Sequence, residues 1–98
     1  MTTQTGSCLC GAVKFTTKGP LRPVIACHCG QCRKQTGHFV AATRSEDALL
    51  EISGADNLTW YAASGEAKRG FCSTCGSAMF WKSNDSTYTS IMAGSFAR

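Results

Sequence analysis

Seven cysteines carry the chemistry open to this sequence, and their spacing says more than their number. They stand as Cys8-Leu9-Cys10, as Cys27-His28-Cys29 with Cys32 three residues on, and as Cys72-Ser73-Thr74-Cys75-Gly76. An odd count would strand one thiol in a disulfide framework, whereas such close pairs suit a thiophilic cation. Cys27, Cys29 and Cys32 lie within six residues and can meet only around one centre. The outer pairs, Cys8 with Cys10 and Cys72 with Cys75, are left to close another. Four thiolates complete a tetrahedral zinc site, and three leave one corner open to water or substrate. The reading therefore expects two Zn²⁺ per chain: a structural ion on Cys8, Cys10, Cys72 and Cys75, and a catalytic ion on Cys27, Cys29 and Cys32.

Local geometry can deliver those ligands. On an extended strand Cys8 and Cys10 point the same way, as do Cys27 and Cys29. Cys29-x-x-Cys32 and Cys72-x-x-Cys75 have knuckle spacing, with Gly76 free to turn left-handed. A straight strand turns His28 away from the metal, which favours a supporting or core role over ligation. His38 either reaches the open site as acid, base or substrate contact, or simply starts a strand. Arg33, Lys34 and Gln35 follow the three-cysteine cluster, with Arg44, Lys68 and Arg69 elsewhere. Basic groups beside an open zinc suit an anionic thiol, although each one alone reads as solvated surface.

The elements that must position these residues are short alternating runs bounded by Gly, Pro, Ser and Asn. Strands are expected over Cys8–Thr17, Pro23–Cys29, Phe39–Thr43, Leu58–Ala62, Lys68–Cys72, Ala78–Lys82 and Thr87–Ala93. A short helix is expected over Ser45–Leu50, with Ser45 as its N-cap. Trp60, Tyr61, Phe71, Phe80 and Trp81 read as core, with a pocket wall as the lesser alternative. The fold class is mainly β: one small, zinc-stapled antiparallel domain over residues 1–98. The last strand runs out at Gly94-Ser-Phe-Ala-Arg98 with no closing element. An unpaired edge there points to a chain truncated at its C-terminus or to a homodimer that covers it.

The formal charge is +4. Seven thiolates holding two Zn²⁺ would take three units off, leaving +1, so the electrostatic case for a nucleic-acid partner falls away. No apolar run reaches membrane-spanning length, and Met1-Thr-Thr-Gln-Thr-Gly has no signal-peptide character. The reading is a cytoplasmic protein with reduced thiols.

The motifs Cys8-Leu-Cys10-Gly-Ala-Val, Cys27-His-Cys-Gly-Gln-Cys-Arg-Lys-Gln-Thr-Gly37 and Arg69-Gly-Phe-Cys-Ser-Thr-Cys-Gly-Ser77 together resemble the glutathione-dependent formaldehyde-activating enzyme (GFA) family. The resemblance runs from about Ser7 to the last strand. It implies a coiled antiparallel β-tent, a four-cysteine structural zinc and a three-cysteine catalytic zinc. It also implies a carbon–sulfur lyase, or S-(hydroxymethyl)glutathione synthase-like enzyme, whose partners are a thiol such as glutathione and formaldehyde or a related small aldehyde. Family members usually run longer, with further strands beyond the point where this chain ends. The alternative is a non-catalytic binding or chaperone-like module in which both zincs are structural. A methionine sulfoxide reductase-like activity is disfavoured, because the seven assignments leave no separate redox cysteine.

Overall fold

The computed structural model describes residues 3–62 and 64–97. Nine strands and one helix follow in the order β1 (Thr3–Ser7), β2 (Lys14–Lys18), β3 (Ile25–Cys27), α1 (Gly30–Thr36), β4 (Val40–Glu46), β5 (Leu50–Ser53), β6 (Leu58–Tyr61), β7 (Ala67–Cys72), β8 (Ala78–Ser83) and β9 (Tyr88–Met92). They build a three-stranded sheet, β1-β2-β5, and a six-stranded sheet, β3-β4-β9-β8-β7-β6. Every pairing is antiparallel, so the mainly β fold class holds.

Register decides which side chains meet. Across the large sheet, Gly70, Phe80 and Ile91 form one cross-strand row, and Arg69, Trp81 and Ser90 form the next. Successive residues on a strand face opposite ways, so the two rows look to opposite faces. The first face packs on the small sheet, where Val13, Phe15, Met79, Phe80, Ile91, Cys8 and Cys72 make the main core. Phe15 meets Phe80 and Phe96 edge-on at 5.8 and 5.1 Å between ring centroids. The second face carries a smaller cluster of Cys32, Val40, Ala42 and Met92, with Cys27, Ala78 and Trp81 against it.

Several expectations are corrected. Cys8–Val13 is the β1–β2 loop rather than strand, closed by Cys8 N–H donating to Val13 O at 3.0 Å. Cys29 does not continue β3 but caps α1, a helix the knuckle reading missed. Ser45 is not a helix cap: it lies buried in β4, hydrogen-bonded to Thr17, and only Asp47–Leu49 makes a single 3₁₀ turn. β1 and β5 were not anticipated. Of the aromatic set, Trp60 and Phe80 enter the core, but Tyr61 is 63% exposed because it alternates away from Trp60 on β6.

The last strand is not an edge. β9 lies inside the large sheet, paired to β4 on one side and β8 on the other. Beyond it Phe96 packs into the main core and bridges Gly6, and Ala97 N–H donates to Thr5 O at 2.8 Å. The homodimer expectation loses the unpaired edge it rested on.

Gly54 shows how closely the loops are fitted. Its φ is +75°, and a Cβ there would sit 1.9 Å from the carbonyl oxygen of Ala12, in the loop that carries Cys8 and Cys10. Gly54→Ala is expected to cost about 2–4 kcal/mol, combining left-handed strain with a backbone clash. Gly65→Ala, with nothing within 4 Å of the added methyl, should shift stability by less than about 0.5 kcal/mol. Urea denaturation compares the two variants; equal midpoints would contradict this packing.

Candidate metal centres

Two groups of sulfur atoms form where loops and strand ends meet. In the first, Cys8 and Cys10 come from the β1–β2 loop, Cys72 ends β7, and Cys75 lies in the β7–β8 turn. The four Sγ atoms all lie within 4.8 Å of one another. Cys10 Sγ is 3.7 Å from both Cys8 Sγ and Cys72 Sγ. A disulfide needs about 2.05 Å. A tetrahedron with metal–sulfur bonds of about 2.3 Å has sulfur–sulfur edges of about 3.8 Å, so these residues fit a single thiophilic ion.

Both loops converge by turns. The Cys72 sulfur accepts from Cys75 N–H at 3.5 Å while Gly76 N–H donates to Cys72 O at 2.8 Å, with Gly76 at φ +79°. The Cys8 sulfur likewise accepts from Val13 N–H at 3.3 Å, and Gly11 N–H donates to Cys8 O at 3.2 Å. Ser77, the last residue of the third motif, joins the two loops: its Oγ accepts from Leu9 N–H at 3.1 Å and bonds Cys75 Sγ at 3.1 Å. That hydroxyl, with the Ser77 backbone, pulls the Cys75 thiol down to about 5. The Cys10 thiol is favoured as thiolate by the Ala12 backbone, but burial and the neighbouring sulfurs outweigh this and push it up to about 11. A divalent ion would offset the repulsion from neighbouring sulfurs that helps to raise Cys10.

The second group is Cys27 at the end of β3, Cys29 at the N-cap of α1 and Cys32 in its first turn, again all within 4.8 Å. Cys29 Sγ accepts from Cys32 N–H at 3.4 Å, and that backbone bond leads in drawing its thiol down to about 7. Burial, then the two neighbouring sulfurs, pushes Cys32 up to about 11 against the pull of Arg69. All three cysteines line a cavity of about 910 Å³, together with Arg22, Arg69, Val40, Trp81 and Met92. No cysteine of the first group is among its lining residues.

The flanking residues divide clearly. His28 is exposed and stacks on Phe39 at 5.0 Å, with His38 edge-on to the same ring at 4.5 Å. Neither histidine belongs to a sulfur group or is among the residues lining the cavity. Arg33 and Lys34 are exposed, Arg44 lies over the Tyr88 ring, and Lys68 lies over the Trp60 ring. Arg69 departs from the surface reading: it is 5% exposed and donates to Gln35 Oε1 at 3.1 Å, Gln31 Oε1 at 3.2 Å and Cys32 Sγ at 3.6 Å. Its one sequence signal was strand parity, which sets it opposite to Gly70 and Cys72 on β7.

With the two sulfur groups in place, comparison with known proteins becomes informative. Residues 3–98 match the model of the GFA family, described as glutathione-dependent formaldehyde-activating enzyme. The chain belongs to this family. A relative from Halomonas elongata, named "Putative glutathione-dependent formaldehyde-activating enzyme", is 39% identical over 83 residues, covering 76% of this chain and 53% of the relative. The chain thus spans about half the length of that GFA relative. A crystal structure of a Rhodobacter sphaeroides protein is similar with a TM-score of 0.70 and 28% identity, over 92% of this chain and 84% of that one.

Among the second group, thiol character should follow position. When metal is withheld from that group alone, iodoacetamide is expected to label Cys29 ahead of buried Cys32, because the thiolate is the nucleophile. The Cys29 rate should rise through about pH 7 and level off above it, as its lowered value requires. Peptide mass mapping follows both sites. Earlier labelling of Cys32, or a Cys29 rate still climbing at about pH 9, would contradict the assignment.

Proposed function

We propose that this domain binds two zinc ions and adds a thiol such as glutathione to formaldehyde or a related small aldehyde, acting in reverse as a carbon–sulfur lyase. The observation that carries the reading is the contrast between the two sulfur groups: the three-sulfur group lines the large cavity, whereas the four-sulfur group does not. Cys8, Cys10, Cys72 and Cys75 would hold the structural ion and Cys27, Cys29 and Cys32 the catalytic one. Bound there with an open position, zinc would favour the thiolate form of an incoming thiol.

The chain's own residues support the remainder. The reaction adds S–H across C=O: the thiol loses its proton, sulfur bonds to the carbonyl carbon, and the carbonyl oxygen takes a proton, with no change of oxidation state. The cavity is lined by two cations, Arg22 and Arg69, and by two acids, Glu66 and Asp85, a mixed set suited to a thiol that, like glutathione, carries charges of both signs. Val40, Ala42, Trp81 and Met92 supply an apolar wall that suits a small aldehyde and holds the two reactants close. Seven free thiols suit a reducing compartment, which supports a cytoplasmic assignment. Among the described residues no helix is long and apolar enough to cross a membrane.

Cys29→Ser tests this most cleanly, because serine is itself a good N-cap and α1 should survive the change. The variant is expected to keep its circular dichroism and one zinc, and to lose more than about 100-fold of the catalysed exchange between formaldehyde and its glutathione adduct, read by ¹³C exchange NMR. Full exchange in the variant would refute the mechanism. Two zincs indifferent to glutathione in the parent protein would favour a non-catalytic binding module.

A further inference from the structure

Arg69 stands apart from the other cations of this domain. Arg44 and Lys68 lie over aromatic rings, Arg33 and Lys34 are exposed, and half-buried Arg22, on the same cavity, donates to Ala42 O at 3.1 Å, but the Arg69 guanidinium is buried against the three-sulfur group. Its reach follows from register. On β7 it faces the cavity while Cys72, three residues on, faces the main core, so one strand serves both sulfur groups from opposite faces. Gln31 and Gln35, one turn apart on α1, accept from its two terminal nitrogens and aim the plane of the guanidinium. One of those nitrogens also donates to Cys32 Sγ. Gln31 and Gln35 are neutral acceptors, so they orient the cation without cancelling its charge.

Three thiolates outweigh a divalent ion by one negative charge. A fourth, anionic thiolate would double that excess inside a partly enclosed cavity, where screening is weak. A buried guanidinium at Cys32 brings the centre to neutrality beforehand, so the arriving thiolate leaves only a single negative charge. We infer that Arg69 is a positioning residue that neutralises the three-cysteine centre and thereby sets its affinity for an anionic thiol. The inference rests on reading that centre as the thiol-binding metal site.

The test uses the full chain loaded with cobalt(II), with glutathione added and the metal's visible absorption followed. The parent protein should show a saturable spectral change. Arg69→Met should bind glutathione at least about tenfold more weakly, as expected for loss of a charged hydrogen-bonding partner. Arg69→Lys, which keeps the charge, should stay within about threefold of the parent, and Gln35→Ala, which removes only an acceptor, within about twofold. Equal affinity in Arg69→Met and a responsive parent would overturn the role of Arg69 alone. No response in the parent would overturn the reading of the site and this inference with it. Should Arg69→Met fail to retain the second cobalt, Arg69→Lys decides: a retained, glutathione-responsive cobalt supports the charge role. Loss in both variants would reduce Arg69 to a brace for α1 and overturn the inference.

Discussion

Four sulfurs from opposite ends of the chain meet within 4.8 Å, and the architecture hangs on that meeting. Cys8 and Cys10 bring the loop of the small sheet; Cys72 and Cys75 bring a turn of the large one. Between them lies a core of only a few large side chains, with Phe15, Met79, Phe80 and Ile91 at its centre. Small domains bury a smaller share of their surface than large ones, so a staple between the sheets would add usefully to so thin a core. Metal affinity at such a site acts directly as folding free energy. The proposed structural zinc would tie together the sheet packing, the loop fit at Gly54 and the phase of β7.

β7 then links support to chemistry. Because its residues alternate, the strand that presents Cys72 to the core must present Arg69 to the other face. There it meets α1 and the three-sulfur group. The two groups are separated by the thickness of a sheet, yet they share this strand as their frame. A cavity lies next to the three-sulfur group and not next to the four-sulfur group, and the proposed division of work between the two sets of thiols rests on that contrast.

Much of this was legible in the sequence, for identifiable reasons. Cysteine spacing limits which thiols can meet, and alternating residues such as those at Leu58–Tyr61 report a strand with one face toward a core. Other features were hidden by tertiary context. Thr3–Ser7 has no large apolar residue to betray β1, because Gly6 meets the ring of Phe15 with no side chain of its own. Ser45 has the look of a helix cap, but its hydroxyl is committed to Thr17 across the sheets. Gln31 to Gln35 with Gly37 held the signals of a short helix, masked by the habit of reading C-x-x-C as a bare turn. Strand order is non-local, so nothing in Tyr88–Met92 itself announces that β9 lies inside the sheet. The burial of Arg69 was equally invisible, since no local pattern separates a buried arginine from a solvated one.

The central claim is that three thiolates hold one zinc with a free corner while four close the other. Zinc-edge X-ray absorption on protein purified under reducing conditions, without added thiol, measures this directly. The account predicts about two zincs per chain, an average of about 3.5 sulfurs per zinc at about 2.3 Å, and a rise toward four when glutathione is added. A sulfur shell already at four before glutathione, or an imidazole shell bringing His28 or His38 onto the metal, would contradict it.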